Sequence, residues 1–200
     1  ERKFSGASQA AAVAAAVAEK PDVVVISGDL TAQGLDAEFV AARHLLAPIL
    51  DHLPAVIIAG NHDVYVREEA PAAGMRKHFG AWMGEGTPAL HRFQDVSFLT
   101  LETCRPTLLS SGPLPAGELE RATTLLQQTD DSFVFLVQHY PLLDRQGRPY
   151  GPATRALSGA ERVRELLTRT DRIGAVLHGH EHHGFTVDID SGAGPIPILD

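Results

Sequence analysis

The sequence predicts an α/β layered fold in which mixed β-sheets are flanked by helices. Three observations carry that prediction. Short β-branched runs, apolar at every position, alternate with helical segments, as parallel strands covered on both faces do. The middle and the end of the chain are richer in strands, which makes the sheet mixed. Four apolar runs stop at polar residues beside a glycine or a chain reversal, where open α/β sheets collect ligands.

The elements follow in order. Ser8 to Lys20 is Ala-rich and reads as a helix with Ser8 as N-cap, ended by Pro21. Val23 to Ile26 is a buried parallel strand that stops at Ser27-Gly28-Asp29. Asp36 to His52 carries Phe39, Val40, Leu45 and Ile49 roughly on one helical face. Ala55 to Ile58 is a strand ending at Gly60-Asn61-His62-Asp63. A short helix is expected within Pro71 to Met83, then strands Ala89 to Gln94 and Val96 to Thr103 around a turn at Asp95. Leu114 to Gln128 is a helix, and Ser132 to Val137 a strand ending at Gln138-His139-Tyr140-Pro141. Asp144 to Leu157 is a loop with Gly147, Pro149, Gly151 and Pro152. Ser158 caps a helix to about Thr168, and Ile173 to Leu177 is a strand ending at His178-Gly179-His180-Glu181-His182. Phe185 to Ile189 and Ile196 to Leu199 are final strands.

Composition narrows the function. The chain has 200 residues, 44% hydrophobic and 21% charged, enough to bury a core and inconsistent with wholesale disorder. A formal charge of −8 disfavours nucleic-acid binding by phosphate neutralisation. Cys104 is the one cysteine, so an intrachain disulfide and a Cys-based zinc site are excluded. That usage fits a reducing compartment, and a cytoplasmic location is the expectation. Ala10 to Ala18 is the longest apolar stretch, well short of the roughly 20 residues a membrane span needs. Neither repeat nor linker interrupts the chain, which reads as a single domain over 1–200.

The strand ends share one chemistry. Asp29, Asn61, His62, Asp63, His139, His180 and His182 offer carboxylate, amide oxygen and imidazole, a set that suits Mn²⁺, Fe²⁺ or Zn²⁺. Gly28, Gly60 and Gly179 leave room for close packing beside an ion. Asp29 is the natural bridge between two ions, since a carboxylate has two oxygens and offsets two dications. Turn chemistry is the alternative reading for each residue alone, but it must explain five at once. Arg145, Arg148 and Arg155 follow His139, and guanidinium forks bind phosphate bidentately. With Tyr140 they are candidate substrate-binding residues. A solvated loop accounts for the arginines equally well, and plain packing for Tyr65 and Tyr140. His178 reads as a buried hydrogen-bonded histidine or a support for the site.

Gly28-Asp29, Gly60-Asn61-His62-Asp63, His139 and Gly179-His180-Glu181-His182 resemble, in that order, the motifs of the calcineurin-like metallophosphoesterases. The resemblance spans residues 21–185. It implies two divalent metal ions, Mn²⁺ foremost with Fe²⁺ or Zn²⁺ as alternatives. It implies that Asp29 bridges them, that Asn61, His139 and His180 complete one site, and that His182 serves the other. His62 is similar to the family's non-ligand histidine, which stabilises the transition state or protonates the leaving oxygen. Asp63 is then expected to orient the His62 ring. The implied activity is hydrolysis of a small-molecule phosphodiester or phosphomonoester, with a hydroxide bridging the ions as nucleophile. Two alternatives stand beside it: hydrolysis of a pyrophosphate-linked nucleotide or lipid precursor, and a catalytically weak protein-interaction scaffold of the same fold.

One departure is notable. The family's first motif, Asp-x-His, does not occur before Asp29. The resemblance therefore implies a first strand upstream of Glu1, beside Val23 to Ile26, and a metallophosphoesterase domain truncated at both ends. The related purple phosphatases carry a tyrosine where this sequence has Ala32, so no purple charge-transfer band is expected.

Overall fold

Strands apolar on both faces build two sheets that pack against each other. The computed structural model describes residues 6–65, 72–107, 109–130 and 133–200. Its elements are α1 (Gly6–Ala18), β1 (Val24–Ile26), α2 (Asp36–Leu50), β2 (Ala55–Ile57), α3 (Ala73–Phe79), β3 (Ala89–Phe93), β4 (Val96–Thr100), β5 (Gly112–Pro113), α4 (Glu118–Gln127), β6 (Phe133–Val137), β7 (Leu157–Ser158), α5 (Ala160–Arg169), β8 (Ile173–Leu177), β9 (Thr186–Ser191) and β10 (Gly194–Leu199). Short 3-10 turns cover His62–Val64 and Gly80–Trp82. Pro71 and Ser132, where two of the expected elements begin, lie outside the described residues. Among the described residues, no helix is long and apolar enough to cross a membrane.

β1 and β2 pair in parallel. A second sheet has the order β3-β4-β6-β8-β10-β9, and a third pairs β5 with β7. In the six-stranded sheet β4, β6, β8 and β10 run parallel, while β3 and β9 pair antiparallel at its two edges. The expected mixed sheet is present.

The period-2 alternation of strands decides how the sheets stack. Val23 and Val25 beside Val56 and Ile58 meet Phe98, Phe135, Val137 and Leu177 in one apolar cluster. Phe98 and Phe135 stack there with ring centroids 5.0 Å apart. Val24, Ile26, Ala55 and Ile57 belong instead to the larger cluster, with Phe39, Leu46 and Ile49 of α2. Leu99, Val134, Leu136 and Val176 also turn to that cluster, with Leu119, Ala122 and Leu126 of α4 and Val163 and Leu167 of α5. The layers therefore run helix, sheet, sheet, helix.

Several boundaries differ from the sequence reading. α1 starts at Gly6, with Ser8 inside it, and Val13 is its buried residue. β1 is half-buried where full burial was expected, because among the described residues it pairs only with β2. α4 begins at Glu118 and not at Leu114, because Leu114 donates its N–H to the Ser158 carbonyl and so extends the β5–β7 pairing. Ser158 itself lies in β7, and the cap position of α5 falls to Gly159, with φ +92°.

The carboxyl ends of β1 and β2 meet backbone to backbone. A Cβ on Gly28 (φ +103°) would lie 2.3 Å from the Gly60 nitrogen, and one on Gly60 would lie 2.1 Å from Asp29 Oδ1. Gly28→Ala is therefore expected to lower the stability by about 3 kcal/mol or more, combining overpacking with left-handed strain. A Cβ on Gly86 (φ +75°) would meet nothing within 4 Å, so Gly86→Ala should cost only the conformational strain, about 1–2 kcal/mol. Urea denaturation of both variants measures the difference. Equal costs would show that the two turns separate easily.

Candidate metal centre

Four strands deliver their following residues to one end of the facing sheets. Asp29 follows β1, Asn61 follows β2, His139 follows β6 and His180 follows β8. Asp29, His180 and His182 adopt left-handed backbone conformations (φ +58°, +78° and +58°), which turn their side chains out of the strand direction. Such strain clusters at functional sites.

The hydrogen bonds orient each group. Asp29 Oδ1 accepts the His62 backbone N–H at 3.0 Å, which leaves Oδ2 facing the histidines. His139 Nδ1 lies 2.8 Å from the Ser27 carbonyl oxygen. A carbonyl only accepts, so Nδ1 carries the proton and Nε2 of the neutral ring presents a lone pair. Asn61 donates from Nδ2 to the Tyr65 hydroxyl at 3.0 Å, turning its Oδ1 inward. Asn61 Oδ1 then lies 3.0 Å from His139 Nε2 and 2.9 Å from His180 Nδ1, and the two ring nitrogens are 3.3 Å apart. Asp29 Oδ2 is 3.5 Å from His139 Nε2 and 3.8 Å from His182 Nε2.

This is a convergence of electron pairs. Ligand atoms of Asp29, His139 and His180 all fall within 4.8 Å of one another. Asp29 Oδ2 and His180 Nε2 are buried without a hydrogen-bond partner. Burial lowers the His139 pKa, and burial with the neighbouring His139 and Arg155 lowers that of His180 to about 4. Both rings are thus neutral near pH 7, as metal ligands must be. A divalent cation relieves the repulsion among such donors, and the mixed N/O set suits Mn²⁺, Fe²⁺ or Zn²⁺.

The remaining sequence candidates divide. His182 stands at the rim, half-exposed, within reach of Asp29. His62 is close to the centre but does not use Asp63: its Nδ1 bonds with the Ala32 carbonyl oxygen at 2.8 Å. Asp63 is buried beneath the turn instead. Its Oδ1 accepts from the Thr31 N–H and hydroxyl, each at 2.9 Å, and its Oδ2 from the Gly60 N–H at 2.9 Å. Burial raises its pKa to about 6 despite those bonds. The expected pairing of Asp63 with the His62 ring is not made, because the carboxylate is taken up by joining the two strand-end turns.

Tyr140 is fully buried, with its ring against His139 and His180 at 5.2 and 4.9 Å, so it backs the ligands and does not line the opening. Arg148 is folded onto Asp144 (2.7 Å) and Gln146 (3.0 Å) of its own loop. Arg145 lies over the Phe185 ring at 5.8 Å. Of the three arginines only Arg155 reaches the metal-side turn, 3.6 Å from Glu181. His178 is buried beside Asp200, with Nδ1 3.4 Å from its carboxylate. Thr31 was not singled out from the sequence. Its signal was a hydroxyl residue two places after Asp29 in a glycine-rich turn, where such side chains bond nearby backbone; it receives the Gly34 N–H at 3.0 Å.

Residues 7–184 match the family model described as calcineurin-like phosphoesterase. A protein named probable cyclic nucleotide phosphodiesterase from Ruthia magnifica subsp. Calyptogena magnifica is 23% identical over 161 residues, 80% of this chain. The chain spans 62% of the length of that relative. Among solved structures, a dimetal phosphatase from Danio rerio superposes with a TM-score of 0.64 at 15% identity, over 97% of this chain and 76% of that one. The purple acid phosphatase of yellow lupin seeds gives the same TM-score at 17% identity, over 92% of this chain and 35% of that one. These likenesses establish a common fold.

The lowered His180 pKa has a consequence for the metal-free protein. Between pH 6.5 and about 4 the unfolded chain takes up a proton that folded His180 refuses, so this group's contribution to stability falls as pH falls. Asp63 acts in the opposite sense, since its raised pKa lets the folded state hold a proton more tightly from about pH 6 down to 3.8. His180→Gln removes the first effect alone. Its urea midpoint should therefore decline less than that of the wild type between pH 6.5 and pH 4.5. A larger decline in the variant would contradict a neutral His180.

Proposed function

The chain belongs to the calcineurin-like phosphoesterase family, and on that premise we propose that it hydrolyses phosphoesters with two divalent ions, preferably Mn²⁺. The observation that carries this reading is the convergence of the ligand atoms of Asp29, Asn61, His139 and His180 around an unpartnered, buried Asp29 Oδ2. We assign Asp29 as the bridge, Asn61, His139 and His180 to one ion, and His182 to the other. The proximity of Asp29 Oδ2 to both His139 Nε2 and His182 Nε2 supports the bridge. When bound, the ions supply Lewis-acid stabilisation of phosphoryl charge and make water acidic enough to attack at neutral pH.

The chain's own residues do the rest. The Ser27 carbonyl fixes the His139 tautomer, and the His62 amide holds Asp29 in place. The Ala32 carbonyl takes the Nδ1–H of His62, so Nε2 is the atom free to deliver and recover a proton. An alkyl or ribose oxygen leaving phosphorus needs such a proton, whereas a nitrophenolate hardly does. The substrate class we favour is a phosphodiester, with a cyclic nucleotide as its first candidate. The name of the relative from Ruthia magnifica supports that choice.

Hydrolysis should be lost on chelation and restored best by Mn²⁺. Asp29→Asn is expected to weaken Mn²⁺ binding at least tenfold in calorimetry and to leave less than about a tenth of the activity. Retention of both by that variant would sink the bridging assignment.

His62→Ala should keep its metal content yet lose activity unevenly. Loss for cyclic nucleotides is expected within the range of about 10²–10⁴-fold typical of general acids, and for bis-nitrophenyl phosphate only a few-fold. Paired kcat/KM values, with metal measured on the same samples, decide the matter. Equal losses would mean that His62 donates no proton, and loss of metal would make it a ligand.

A further inference from the structure

Glu181 lies between the two histidines of the last motif, and its carboxylate meets the 144–156 loop. The Tyr150 hydroxyl donates to Glu181 Oε1, and Arg155 brings a guanidinium nitrogen to 3.6 Å from the same oxygen. The Tyr150 ring stands edge-on to His180 at 6.3 Å. Residues 142–150 form a hairpin that ends at Tyr150, and Arg155 follows five residues later. Leu143 bridges to Pro149, Asp144 N–H bonds to the Arg148 carbonyl at 2.7 Å, and Tyr150 N–H bonds to the Leu142 carbonyl at 3.1 Å. Asp144 also neutralises Arg148 at 2.7 Å. The hairpin is therefore closed on itself, and its last residue, Tyr150, ties it to the metal-side turn.

Arg155 is half-exposed, with 51% of its side chain open to solvent, although its charge reaches the buried His180. Only one oxygen of Glu181 engages it, and at a distance longer than a bidentate pair makes. Its remaining donors are available to an anion at the mouth of the site.

We propose that Glu181 is a positioning residue that latches the 144–156 loop onto the metal-side turn through Tyr150 and so sets Arg155 to grip an anionic phosphoryl group. This rests on the phosphoester reading above. Arg155 is the contact, Tyr150 the latch and Glu181 the anchor of both. Glutamine at position 181 keeps an oxygen for the Tyr150 hydroxyl, so the latch tolerates Glu181→Gln but not Glu181→Ala or Tyr150→Phe.

Two measurements test it, and neither needs turnover. In metal-free protein, trypsin cleavage after Arg145 should quicken several-fold in Glu181→Ala and Tyr150→Phe and stay within about twofold of wild type in Glu181→Gln. Unchanged cleavage in the first two variants overturns the latch. In Mn²⁺-loaded protein, calorimetry with inorganic phosphate should show about tenfold weaker binding in Arg155→Ala, a loss of one charge-assisted contact. Glu181→Ala and Tyr150→Phe should weaken it several-fold, and Glu181→Gln should stay within about threefold of wild type. Phosphate binding that ignores Arg155, or is absent in the wild type, overturns the proposal. Phosphate held through Arg155 by a protein that hydrolyses no phosphoester would instead sink the hydrolase reading and leave the latch standing.

Discussion

Gly28 and Gly60 approach so closely that neither could carry a side chain, and the placement of Asp29 depends on that approach. Two parallel strands end side by side, and their following turns press together where side chains would hold them apart. The contact brings the His62 amide to Asp29 Oδ1 and the Thr31 amide and hydroxyl to Asp63 Oδ1. One carboxylate from each turn thus reaches into the other. The free oxygen of Asp29 is left aimed at His139 and His182.

The site works against the stability of the molecule. Left-handed backbone at Asp29, His180 and His182 costs about 1–3 kcal/mol at each residue. Buried lone pairs face one another at about hydrogen-bond distance without enough protons among them. Asp63 carries a carboxylate into the interior, where burial outweighs three donors. The sheets offset this. Val56, Ile58, Phe98 and Val137 form an apolar layer between them, and helices close both outer faces, so the strand ends cannot relax apart. Strain stays at a functional site when its surroundings over-determine it.

The resemblance assigned Asp63 to the His62 ring, and the structure gives that ring to the Ala32 carbonyl instead. Adjacent residues on a 3-10 turn point in different directions, and Asp63 falls on the buried side with Val64. Its partners, Thr31 and Gly60, come from the turns after β1 and β2. The carboxylate is therefore a tie between turns, and the tautomer of His62 is set by backbone. Tyr140 shows the same limit. Its neighbour His139 is a candidate ligand, but a residue beside a ligand can point behind the site as readily as into it.

Much was legible in the chain because its signals are local. β-branched runs marked the strands, alternation with helices marked the α/β class, and polar residues after glycine or at a chain reversal at four strand ends marked Asp29, Asn61, His139 and His180 as one group. Periodicity and turn chemistry act over a few residues, so a sequence displays them directly. Tertiary structure alone decided the stacking of the two sheets, the start of α4 set by the pairing of Leu114 with Ser158, the partners of His62 and Asp63, and the meeting of Arg155 with Glu181. Each of these depends on which atoms meet across tens of residues of chain. Such meetings are fixed by packing and by competition for hydrogen bonds, and neither leaves a mark in the local pattern.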